Sequence, residues 1–154
     1  MANHAGGISI IAFVVAVAVS MGYYQFFYLP EANAKPILPE KVLNPRDITS
    51  IQIVEGAALE SNPRNFIPKD VRGILELSNK VVWTNNDGTA HTVTTDDDYV
   101  DQINGAFDST VQLGTLIDPG ETFEFTFTKE GEYAYHCTPH PHMKGVVEIV
   151  PNFA

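Results

Sequence analysis

Beyond residue 48 the chain alternates apolar and polar positions with a period of two. Ile51 and Ile53 flank Gln52, and Val81 and Trp83 alternate with Val82 and Thr84. Phe123, Phe125 and Phe127 alternate with Glu124 and Thr126, then Tyr133, Tyr135 and Cys137 with Ala134 and His136. Successive side chains of a strand point to opposite faces, so each run predicts a strand with one buried and one wetter face. Turn-forming residues separate the runs: Ser78-Asn79, Asn85-Asn86-Asp87-Gly88, Asp118-Pro119-Gly120 and Lys129-Glu130-Gly131. Short strands at this spacing, with no long helix among them, predict an all-β, antiparallel β-sandwich with Greek-key connections.

The first residues follow a different pattern. Ile8 to Leu29 is a 22-residue stretch without a charge, and as a helix it reaches roughly 33 Å, enough to cross a bilayer. Tyr23, Tyr24, Phe26, Phe27 and Tyr28 crowd its outer end, where amphipathic rings suit the headgroup zone. Ala32-Asn33-Ala34 has the form of a signal-peptide cleavage site, but the preceding residues lack Lys and Arg and the apolar run exceeds a signal's usual length. An uncleaved membrane anchor is the better of the two readings, and either places the remainder outside the cytoplasm. Pro30, Pro36, Pro39 and Pro45 then predict a semi-extended tether. The expected organisation is an anchor or signal over 1–30, a tether over 31–47 and one β domain over 48–154.

Composition supports this division. With 11 Gly, 10 Pro, 9 Phe and 6 Tyr in 154 residues the chain suits short strands and tight turns. Its net charge is −10, and Glu31 is the only charged residue before Lys35, so the acidity belongs to the later residues. Such a surface repels nucleic acid and attracts basic protein partners. Cys137 is the only cysteine, which excludes an internal disulfide and leaves buried packing or metal ligation.

Metal ligation gains weight from the neighbours of Cys137. The segment Tyr135-His136-Cys137-Thr138-Pro139-His140-Pro141-His142-Met143-Lys144-Gly145 sets Cys137 at the end of a strand. A proline-braced loop after it folds His140 and Met143 back over the same point. His91 follows the Asn85–Ala90 turn; if that turn lies at the same end of the sandwich, His91 joins them. A thioether is a soft donor that helps Cu(I) and offers little to zinc, while a His-His-Cys plane suits both copper oxidation states. A closed zinc site wants four N or S ligands, usually with paired cysteines.

From about Ile48 to Val150 the sequence resembles the cupredoxin, or blue copper, family of plastocyanin and amicyanin type. The resemblance is carried by VVWTNNDGTAHTVTT and by AFDSTVQLGTLIDPGETFEFTFTKEGEYAYHCTPHPHMKGVVEIV, with Cys-x2-His-x2-Met followed two residues later by Gly. It implies a cupredoxin sandwich holding one copper, with His91 and His140 as nitrogen ligands, Cys137 as the thiolate and Met143 as the long axial ligand. The implied function is single-electron transfer between redox proteins outside the cytoplasm, through the exposed edge of His140, with no catalytic acid or base. The rivals are an open copper site reacting with nitric oxide or nitrite, and copper storage or delivery.

Departures from the family pattern are Ala90 where many relatives have Pro, predicting a less braced loop, and Thr92 where several have an Asn that ties the ligand loops together. Thr138 is the expected partner of Thr92. His142 reads as a solvated loop histidine rather than an extra ligand. His136, opposite in strand direction to Cys137, reads as outward-facing. Asp96, Asp97, Asp98 and Asp101 read equally as a docking surface for a basic partner and as a solvated loop. Trp83 is expected in the core.

Overall fold

A computed structural model describes residues 4–153. The chain forms two compact units, the second beginning at Ile37. In the first, helix α1 (His4–Tyr23) continues through a π-helical turn (Tyr24–Tyr28) into α2 (Leu29–Ala32). Ser9–Ala32 is long and apolar enough to cross a membrane by length and composition. The expected aromatic belt is ordered by i, i+4 stacking of Tyr23 on Phe27 and Tyr24 on Tyr28.

The second unit opens with a single helical turn, α3 (Glu40–Leu43). Val42 is only 3% exposed, and its carbonyl accepts a 2.8 Å hydrogen bond from the buried Asn79 side chain. The segment expected to be extended therefore docks here, because one apolar residue finds a buried seat and Asn79 receives its carbonyl.

Ten strands follow: β1 (Ile48–Ile53), β2 (Phe66–Ile67), β3 (Asp70–Ile74), β4 (Lys80–Asn85), β5 (Thr94–Thr95), β6 (Val100–Asp101), β7 (Gly105–Ala106), β8 (Thr122–Thr126), β9 (Gly131–Cys137) and β10 (His140–Val150), with α4 (Ser109–Leu113) before β8. One sheet has the order β2-β1-β4-β8, the other β3-β10-β9-β5, and β6 and β7 form a small ribbon. The expected sandwich is present. Each sheet also contains a parallel pair, β1 with β4 and β10 with β3, beside the antiparallel pairs. Strand direction depends on which sheet the intervening chain crosses, and alternation within a strand carries no record of that.

The inward positions of the alternating runs form the core. Ile51, Ile53, Val81, Trp83, Phe123, Phe125, Phe127, Tyr133, Tyr135 and Val147 are all buried. Trp83 stacks on Phe123 and meets Tyr135 edge-on, arrangements each adding about 0.5–1.5 kcal/mol beyond area burial. Gly145 lets β10 pass over Tyr135: a Cβ there would lie 2.5 Å from the phenol oxygen and 2.8 Å from the Lys69 carbonyl.

Candidate metal centre

His91 lies at one end of the sandwich because the Asn85–Ala90 turn is braced from inside. The buried Asn85 side chain donates to the carbonyls of Thr89 and Ile117, both at 2.9 Å, and accepts from the Asp87 amide. His91 and Ile117 exchange backbone hydrogen bonds at 3.1 and 2.9 Å. The bracing that a proline before His91 would give thus comes from Asn85.

β9 carries Cys137 to the same end. His140 pairs directly with Cys137, but the next pair is Lys144 with His136, so Pro141, His142 and Met143 are accommodated in an irregularity of β10. Extra residues on one strand bend it and re-aim its side chains. Only Thr138 and Pro139 separate the strands, so the expected loop is largely a bulge at the end of the β9–β10 hairpin. Met143 is fully buried in this bulge, while His140 is half-buried between exposed Pro139 and Pro141.

The three donors converge. Nδ1 of His91 and Nδ1 of His140 each lie 3.5 Å from Cys137 Sγ, and all three ligand atoms fall within 4.8 Å of one another. The imidazole centroids are 4.9 Å apart. His91 and Cys137 are completely buried. Burial pushes the Cys137 thiol above its ordinary range, although hydrogen bonds from Thr92 and His140 act the other way. Burial, then the neighbouring His91 and His142 rings, lowers the His140 imidazole. Two imidazole nitrogens and one sulfur on a single point fit copper.

Thr92 does join the ligand loops. Its amide donates to Cys137 Sγ at 3.3 Å, and its hydroxyl accepts from the Thr138 amide at 2.8 Å. The Thr138 hydroxyl instead donates to Thr94. His142 departs from the expected solvated role: its Nε2 donates to the Ala57 carbonyl at 3.1 Å. His136 faces away from Cys137 and pairs with Asp96.

The acidic group divides. Asp96, Asp97 and Asp98 are exposed, but Asp101 is 2% exposed. Its carboxylate accepts from the amides of Ile103, Asn104 and Thr128 and from the hydroxyls of Thr128 and Tyr99. Neither expected role fits Asp101, because it holds the β6–β7 turn to the end of β8 from inside.

Asp87 was not legible as a site residue. Its Oδ2 lies 2.9 Å from Nε2 of His91, although the sequence shows only the third residue of an Asn-Asn-Asp-Gly turn. Burial raises its carboxyl, but the His91 ring and the amides of Gly56, Ala58 and Gly88 outweigh this and hold it below the ordinary carboxylate range.

Residues 56–150 match the model for copper binding proteins of the plastocyanin/azurin family. The chain belongs to that family. It is 29% identical over 75 residues to amicyanin of Paracoccus denitrificans, covering 49% of this chain and 52% of that protein. It is 34% identical over 88 residues to plastocyanin of Sambucus nigra, covering 56% of this chain and 87% of the relative. A purple cupredoxin from Nitrosopumilus maritimus superposes with a TM-score of 0.52 at 25% identity, covering 66% of this chain and 99% of that structure. This cupredoxin is therefore a copper protein, and His91, Cys137 and His140 form a group of side chains able to hold the ion.

Proposed function

We propose that this cupredoxin carries single electrons between redox proteins outside the cytoplasm, and that Met143 would complete the copper site as a weak fourth donor. The observation that carries this reading is the convergence of two imidazoles on one buried thiol, with the second imidazole partly exposed. Copper, when bound, supplies exchange between Cu(II) and Cu(I). Around it, His91, Cys137 and Met143 are closed off from water, and the Thr92 hydrogen bonds hold the two ligand loops in one geometry. His140 provides the edge through which a partner makes contact, in a patch bordered by Pro139 and Pro141. Residues 1–30 act as a membrane anchor, the following residues up to Pro36 as a tether and the unit from Ile37 onward as the electron-carrying domain. Tethering raises the local concentration of membrane partners.

Met143→Leu tests the axial assignment, since this near-isosteric change costs under about 1.5 kcal/mol and leaves the fold in place. Copper stays bound and the reduction potential rises, because loss of a weak donor destabilises Cu(II) more than Cu(I). A redox titration with optical detection reads this. An unchanged potential and spectrum removes Met143 from the ligand set, and azide then perturbs the wild-type spectrum.

Docking is tested by stopped-flow electron transfer to a basic acceptor protein. Asp97→Asn with Asp98→Asn, which spares the Asp96–His136 pair, lowers the bimolecular rate at low salt. The difference fades as ionic strength approaches 0.1 M, where the Debye length is about 10 Å. Equal rates at low salt place the docking surface elsewhere.

A further inference from the structure

Asp87 has all the features of a fixed electrostatic support. It is 6% exposed. Its Oδ1 accepts from the amides of Gly56 at 2.9 Å and Gly88 at 2.8 Å, and its Oδ2 from Ala58 at 3.2 Å. The remaining contact is the 2.9 Å bond to Nε2 of His91, a ring that is itself fully buried. Three backbone donors from two loops leave the carboxylate no freedom to follow the ring, so the ring must orient to the carboxylate.

An imidazole hydrogen-bonded to a carboxylate through one nitrogen keeps its proton there and presents a lone pair on the other. In this molecule the other nitrogen is Nδ1, 3.5 Å from Cys137 Sγ. We propose that Asp87 is a positioning residue that selects the Nε2–H tautomer of His91, thereby making Nδ1 its metal-binding atom, and whose negative charge favours Cu(II) over Cu(I). The proposal rests on the copper reading above and adds a residue that neither the ligand motif nor the family match singles out.

The same support reaches the second ligand loop. Gly56 and Ala58 donate to Asp87, and Ala57 between them accepts from His142 in the β10 bulge. The segment following β1 is thus held between the His91 turn and the His140–Met143 bulge. Asp87 therefore contacts one candidate ligand directly and borders the bulge that carries His140 and Met143.

The deciding measurement uses the full ¹⁵N-labelled chain in detergent at pH 8, metal-free and loaded with Cu(I). Long-range ¹H–¹⁵N spectra should show the His91 proton on Nε2 in both states. Asp87→Asn retains an oxygen acceptor without the charge, and its copper potential should rise relative to wild type. Glu130→Gln removes an equal charge in the turn before β9, at the far end of that strand from Cys137, and should leave the potential in place. Asp87→Ala should weaken copper binding by about 10–100-fold, as loss of a ligand's outer hydrogen-bond partner does. A wild-type proton on Nδ1 overturns the proposal, as does an Asp87→Asn potential no higher than that of Glu130→Gln. If Asp87→Ala does not fold, the wild-type tautomer and the Asn variant still decide. Failure of the wild-type chain to bind copper overturns the copper reading instead, and the metal-free tautomer then decides the role of Asp87 by itself.

Discussion

Cys137→Ser abolishes the intense thiolate-to-copper charge-transfer absorption of the copper-loaded chain. No other residue supplies a thiol, and both imidazole Nδ1 atoms are aimed at this sulfur. A serine hydroxyl is a harder donor, does not ionise at neutral pH and forms a weaker bond to Cu(I). Copper affinity falls by more than the roughly 10–100-fold associated with losing an outer hydrogen-bond partner, because a direct ligand is lost. Visible spectra and a copper titration of the two chains measure both effects. A retained absorption band in the serine variant ends the assignment of Cys137 as the thiolate ligand.

The second large effect lies away from the metal. Asp101→Ala leaves the buried amide and hydroxyl of Thr128, and the part-buried amides of Ile103 and Asn104 and hydroxyl of Tyr99, without their acceptor. At about 1–3 kcal/mol for each stranded buried donor, and with some regaining water, the variant loses about 3–5 kcal/mol in a urea titration. Its pH dependence has a definite sign. Burial raises the Asp101 carboxyl, but the Thr128 hydroxyl and the surrounding amides outweigh it and hold the group below its ordinary value of 3.8. A depressed folded value means that the stabilisation is fully present above 3.8 and is lost as pH falls through the folded value. The gap in stability between wild type and Asp101→Asn therefore narrows below about pH 4. A gap of the same size at pH 7 and pH 3 shows that the ionised carboxylate is not its source. Electron-transfer rates at pH 7 do not enter this test, which separates the structural role from docking.

These two residues mark how far the sequence could be read. Cys137 was legible because its neighbours His140 and Met143 lie within seven residues and the ligand chemistry of the set is specific to copper. Asp101 was not, because an aspartate in an acidic run looks the same whether it faces water or five donors. His142 was misread for a related reason: its partner is the Ala57 carbonyl, 85 positions away, and a backbone acceptor leaves no trace in residue type. Asp87 lies four residues before His91, but its turn residues explain its presence without any ligand, so spacing did not expose the contact.

By itself the sequence determined the strand runs, their buried faces and the apolar N-terminal stretch, and it named a candidate copper donor set. Those properties follow from local periodicity and from the chemistry of a few side chains. Only the tertiary structure decided that His91 meets Cys137, that β1 and β3 run parallel to β4 and β10, and which acids are buried. Each of these depends on hydrogen bonds between positions far apart in the chain, many of them through backbone groups that every residue shares. The tautomer support at Asp87 belongs to this second kind: two loops converge on one carboxylate, and only their convergence makes it more than a turn residue.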